Sequence, residues 1–165
     1  MKTYAYLILA VLVCSILIQP LMEIAHVCKD RIEIGAAITN SVRAAKNECY
    51  SYHAMRDLNG EANREVFVNT FARIFADSLG LSLKHTSAST MVFESKDGRY
   101  NDFKVTCSFM RSYYGNREQT NIVINSTSDY KFKTKYLRDA QNLIKANSGV
   151  YKLNHERRYN LKITN

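Results

Sequence analysis

Four histidines (His26, His53, His85, His155) and four cysteines (Cys14, Cys28, Cys49, Cys107) are the side chains of this sequence best suited to metal or nucleophilic chemistry. Their spacing does not support either. No two histidines stand at i,i+4, where one helix face would present two imidazoles, and no two cysteines stand at C-x-x-C spacing. The G-x-S-x-G elbow, the phosphate-binding P-loop and the dinucleotide G-x-G-x-x-G are all missing from the sequence. Glu94, Asp97 and Asp102 gather around one turn, but catalysis needs a base, a nucleophile and a stabiliser together, and acidic residues at a turn are ordinarily solvated. The expectation is a non-enzyme with no catalytic, cofactor-binding or metal-binding residues.

Three smaller features remain. Cys49 and Cys107 could pair as a disulfide outside a cell, or stay reduced as half-buried thiols; spacing alone does not choose. His53 beside Tyr50 and Tyr52 reads as a surface binding spot or as an amphipathic loop packed on the fold. Asn125-Ser126-Thr127 matches a glycosylation acceptor, a pattern short enough to arise by chance.

The elements that would carry these residues begin with a membrane segment. Residues 4–22, YAYLILAVLVCSILIQPLM, hold no ionised side chain and at 1.5 Å rise reach about 28 Å, close to the ~30 Å of a hydrocarbon core. Lys2 in front resembles a signal n-region, but residues 19–25, QPLMEIA, lack the small residues of a cleavage exit, so an uncleaved anchor is expected over a discarded leader. Basic residues on the two flanks nearly balance. The short tail ahead of the run favours a cytoplasmic N-terminus and an extracytoplasmic remainder.

The helical pattern continues past the apolar run. Ile24, Val27, Cys28, Ile34, Ile38, Val42 and Ala45 recur at mostly three- and four-residue steps, so residues 4–46 form one helix about 64 Å long, kinked in the membrane at Pro20. Its second half is too polar for lipid, and its stripe requires cover from the downstream chain or from other copies of the helix. Ile34, Gly35, Ile38, Val42 and Ala45 are the packing candidates. A second helix is predicted from Glu61 to Leu79 on Val66, Val68, Phe71, Ala72, Ile74, Phe75 and Leu79, stopped by Gly80.

Strands are predicted at 90–95 and 99–110 around Lys96-Asp97-Gly98, at 121–126 with an extension over 130–133, and at 159–164. A short helix is predicted over 134–146. The fold class is α+β, a helical stalk with a small antiparallel head, divided as anchor 1–22, amphipathic stalk 23–47 and head 48–165.

The 165 residues are 46% apolar with formal charge +8. Residues 1–97 carry 10 basic and 10 acidic side chains and residues 98–165 carry 13 and 5, so the excess lies entirely in the C-terminal part. A basic excess attracts nucleic acid or another polyanion, but no nucleic-acid-binding motif accompanies it.

Residues 6–48, and IGAAITNSVRAA at 34–45 above all, resemble the TadE-like minor pilins and pseudopilins of bacterial tight-adherence pilus systems. The resemblance covers about a quarter of the chain. It implies a pilin-like or pseudopilin-like structural component of a bacterial envelope pilus, secretion or assembly system, with the lipid bilayer and other pilin-like subunits as partners through the N-terminal helix. In this sequence the first acidic residue, Glu23, follows the apolar run. The alternative is a membrane-tethered or secreted basic module that recognises nucleic acid or a cell-wall polyanion.

Overall fold

The computed structural model describes residues 2–49, 64–87, 89–114, 117–135, 137–139 and 151–161. Helix α1 spans Lys2–Cys49, and helix α2 spans Arg64–Leu79. Five strands follow: β1 Leu81–Thr86, β2 Thr90–Ser95, β3 Phe103–Tyr114, β4 Arg117–Asp129 and β5 Lys152–Leu161. The strands pair in chain order as an antiparallel meander, β1-β2-β3-β4-β5. The α+β class, with an apolar N-terminal helix, a second helix and an antiparallel sheet, is the architecture of the chain.

The helix α1 continues through Pro20. Proline brings no N–H, so the Ile16 carbonyl loses its usual helical donor there. One turn earlier the Ser15 hydroxyl donates to the Val11 carbonyl at 2.8 Å, satisfying the serine within the apolar run. Helix α2 ends where Gly80 takes φ +65°, a left-handed turn that glycine enters without Cβ strain, and β1 starts at the next residue.

By compactness the chain divides into two units. One comprises Met1–Ile32 with Lys131–Val150, and the other comprises Glu33–Tyr130 with Tyr151–Asn165. Residues 131–150, expected within the head, therefore group with the apolar end of α1.

The second unit has one packed face. Its register places Phe109 opposite Ile122 and Ile122 opposite Tyr159, so these side chains point to the same side of the sheet. Phe67 of α2 meets Phe109 edge-on, and Thr39 of α1 lies 3.2 Å from the Tyr159 hydroxyl. Both helices therefore cover that side. The core is aromatic under α2: Phe75 stacks with Phe71 and meets Phe93 and Phe103 edge-on at centroid distances of 5.2 and 6.0 Å. Each such side chain, fully buried, contributes roughly 1.5–3 kcal/mol by removal from water. Lys104, Asn125, Glu156 and Arg158 lie exposed on the opposite, polar side.

The sheet differs from the expectation in several places: β3 spans Phe103–Tyr114 rather than 99–110, and β4 Arg117–Asp129 rather than 121–126. β1, LSLKHT, was not anticipated: only Leu81 of its six residues is fully buried, so its alternation is weak. It also carries a register shift between Leu83 and His85, which breaks the period further. β5 begins at Lys152 rather than at Tyr159, because Glu156, Arg157 and Arg158 obscure a strand whose inward positions include Leu153 and His155. The third predicted strand does not extend over 130–133. β4 stops at Asp129, and the next amide, that of Tyr130, donates to the Tyr151 carbonyl at 2.7 Å. Of the predicted helix at 134–146, residues 135 and 137–139 are helical, Thr134 is a bend ahead of them, and residues 136 and 140–146 lie outside the described residues. His53 and the tyrosines beside it lie outside them too.

Candidate functional site

The segment with the most distinctive surface is α1. Residues from Tyr4 to Met22 expose their large apolar side chains, with Tyr4 at 72% and Ile16 at 71%. This stretch is long and apolar enough to cross a membrane. Further along the same helix the pattern reverses. Ile34, Ile38 and Ala45 are completely buried, Val42 nearly so, and Gly35 is buried beside them. All five packing candidates are thus covered by the chain's own second unit.

Polar contacts moor this covered half. The Glu33 carboxylate accepts from the Arg99 guanidinium and from the Tyr100 hydroxyl at 3.0 Å, while Arg99 also lies over the Tyr100 ring. Thr39 back-bonds to the Gly35 carbonyl at 2.9 Å. At the helix end, the Glu48 carboxylate accepts from Thr70 at 2.9 Å and pairs with Arg73 at 3.5 Å, fastening α1 to α2. The Arg73–Glu48 pair is more than half exposed and contributes little by charge alone.

Within the first unit two acidic side chains are buried, Glu23 at 4% and Asp30 at 2% exposure. Glu23 accepts backbone N–H bonds from Lys133 at 2.8 Å and Thr134 at 3.1 Å, one on each carboxylate oxygen. Asp30 pairs with the Lys133 ammonium at 3.4 Å. Burying a carboxylate is costly unless such partners replace water. The two halves of this clasp lie 110 residues apart, and in the sequence its one visible trace is the isolated acid just past the apolar run.

The acidic cluster at the β2–β3 turn separates into two structures. Lys84, at the register shift of β1, sits 3.3 Å from both Glu94 and Asp102, and these bonds raise its pKa. Asp97 faces its own turn: Oδ1 accepts from the Arg99 amide at 2.9 Å and from the Ser95 hydroxyl at 2.7 Å, and these donors lower its pKa. The cluster organises a turn.

Cys49 and Cys107 are both free thiols, so the bridge allowed for in the sequence is not formed in this structure. The Cys49 thiol donates to the Lys46 carbonyl at 3.4 Å, while Cys107 faces the core from β3, where burial pushes its pKa up to about 12. His26, His85 and His155 sit on α1, β1 and β5, and among the described residues no group of three or more His, Cys, Asp or Glu could hold a metal. Asn125 is exposed in the middle of β4, paired with β3 on one side and β5 on the other.

The site is therefore a helix with two surfaces, apolar and uncovered first, covered and moored after. No protein-family model matches the chain, and no curated protein matches it. A solved structure of a virus-like particle of bacteriophage PQ-465 aligns at 13% identity with a TM-score of 0.28, over 49% of this chain and 61% of that one. At that score the likeness carries no argument about fold or function.

Proposed function

We propose that this protein is a single-pass, membrane-anchored structural component of a cell-envelope assembly, built in the manner of a pilin or pseudopilin. The observation that carries the reading is the contrast along α1: Tyr4–Met22 present apolar side chains to their surroundings, whereas Ile34, Ile38, Val42 and Ala45 are buried by the chain itself. An apolar surface of that length is stable only in lipid or against other apolar helices. The resemblance of residues 6–48 to TadE-like minor pilins supports the same assignment, with the lipid bilayer and like subunits as partners. The N-terminus is assigned to the cytoplasm and the strand-bearing unit to the outside.

The test is fractionation of the full chain and of a chain lacking residues 4–22, together with photo-cross-linking from a reactive residue at Leu12. Retention of the full chain after an alkaline wash, release of the deletion, and adducts formed with another copy or another envelope subunit are the expected results. Membrane retention of the deletion overturns the anchor; a full chain that cross-links only to lipid overturns assembly.

Recognition of nucleic acid or a cell-wall polyanion by the sheet is the weaker reading. Its polar side mixes signs: Lys104, Lys152 and Arg158 alternate with Glu94, Asp129 and Glu156, and Arg158 pairs with Glu156 at 2.9 Å. Binding of polyanions that falls steeply with salt and is abolished by Lys104→Gln would restore it.

A further inference from the structure

We propose that the segment around Lys131–Asp139, clasped to α1 just past its apolar run, forms a binding site for anionic phospholipid headgroups. The proposal rests on the reading of residues 4–22 as a membrane span. Glu23 is the first residue after Met22, and its carboxylate holds the backbone amides of Lys133 and Thr134. Asp30, about 10 Å further along α1 by helical rise, holds the Lys133 ammonium. The Glu23 clasp fixes residues 133 and 134 where hydrocarbon gives way to headgroups, and Asp30 holds the Lys133 side chain just beyond that layer, about 5–8 Å thick per leaflet.

The charge at that depth is positive. Asp30 is offset by the Lys133 ammonium, and Glu23 is spent on backbone amides and adds one negative charge. Outward, Lys135 and Arg138 are exposed on the segment and Lys29 and Arg31 on α1, against one exposed acid, Asp139. A basic side chain close to an anionic membrane surface improves partition roughly fivefold, and several at one depth act together. Phosphate diesters of lipid headgroups suit such a collar, since lysine and arginine at the interface reach outward while their stems stay against apolar surface.

The experiment reconstitutes the full chain in phosphatidylcholine vesicles containing a trace of spin-labelled phosphatidylglycerol or spin-labelled phosphatidylcholine, and reads the motionally restricted fraction of each. Phosphatidylglycerol is expected to be enriched at the protein about threefold or more at low salt, falling toward parity at about 0.5 M salt. The exposed double variant Lys135→Gln/Arg138→Gln is expected to lower the enrichment at least twofold, with Lys104→Gln/Lys152→Gln as the control that leaves it unchanged. Equal restriction of the two lipids by the unaltered chain, or full enrichment in the Lys135/Arg138 variant, overturns the proposal. Extraction of the protein from the vesicles by alkaline carbonate overturns instead the span reading beneath it.

Discussion

The two halves of α1 meet opposite demands with one secondary structure. Residues 4–22 place apolar side chains on every side, as a segment surrounded by lipid or by other apolar helices must. Residues 33–49 confine them to a stripe, and the sheet and α2 cover it with Glu33, Thr39 and Glu48 bonded at its margins. A helix can therefore change its surface without changing conformation, because its backbone bonds stay internal and only the distribution of side chains is altered. Between the halves, the buried Glu23 and Asp30 tie down a distant piece of chain.

Equal truncations in the two halves of α1 are expected to differ widely in cost. Ile38→Ala removes a completely buried side chain, and a loss of about 2–5 kcal/mol is expected from lost transfer energy plus the cavity left behind. Phe75→Ala, at the centre of the aromatic cluster under α2, belongs at the upper end, about 3–5 kcal/mol. Leu12→Ala is expected to leave the same transition within about 0.5 kcal/mol. Urea unfolding of the full chain in mild detergent, followed by tyrosine fluorescence, measures all three. A large loss for Leu12→Ala would show that the exposed half is packed within the fold.

Cys107 offers the next test, on the covered side. Its folded pKa of about 12 lies above the ordinary thiol value of 9.0, because burial disfavours the thiolate. The folded state thus holds its proton where the unfolded state has lost it. The stabilising contribution is complete below pH 9 and is lost as pH rises from 9 towards 12. Unfolding midpoints across that window are expected to fall by more in the natural chain than in Cys107→Ala. Thiol labelling sharpens the point: Cys28 is exposed and reacts in the folded chain, while Cys107 reacts after unfolding. Equal alkaline slopes for the two chains would remove the buried thiol from the account.

The helices were legible because their signals are local. The absence of glycine and proline between Glu23 and Ile34, and the three- and four-residue steps from Ile24 to Ala45, are enough to continue α1 beyond the apolar run. What covers the stripe was not legible, since that depends on pairing with residues such as Arg99 and Tyr159 far along the chain. In α2 the predicted face omitted Phe67, a completely buried residue, because the run Val66-Phe67-Val68 offers three adjacent apolar candidates and the helical period alone does not rank them. β5 hid behind Glu156-Arg157-Arg158, since charged residues on an edge strand mask the alternation. The Glu23 clasp showed only its acid, because a carboxylate that accepts backbone amides places no demand on the side chains that donate them.

Glu23→Gln tests the stretch of α1 between its two halves. The amide retains one acceptor oxygen and loses the charge, and a bond to a charged group is worth about 1.5–3 kcal/mol against about 0.5–1.5 for a neutral one. The amides of Lys133 and Thr134 are expected to exchange with solvent about tenfold faster, with Ile38 and its neighbours unchanged. Unchanged exchange at 133 and 134 would show that the clasp does not hold the segment.

The smallest effect falls at Gly35, where the two halves would be confused most easily. A glycine in a small-residue stretch of a membrane-proximal helix invites a reading as a close contact with another copy, which an added methyl group would push apart. Among the described residues a Cβ at position 35 meets the Arg157 guanidinium at 3.8 Å, an ordinary contact with the end of a flexible side chain. Alanine is also the better helix former, by about 0.8–1.0 kcal/mol. Gly35→Ala is therefore expected to raise stability by about 0.5–1 kcal/mol and to leave any cross-link from Leu12 intact. If it weakened self-association while the isolated chain stayed folded, the covered half of α1 would have to be reopened as a contact between subunits, and the division of labour along the helix would fail.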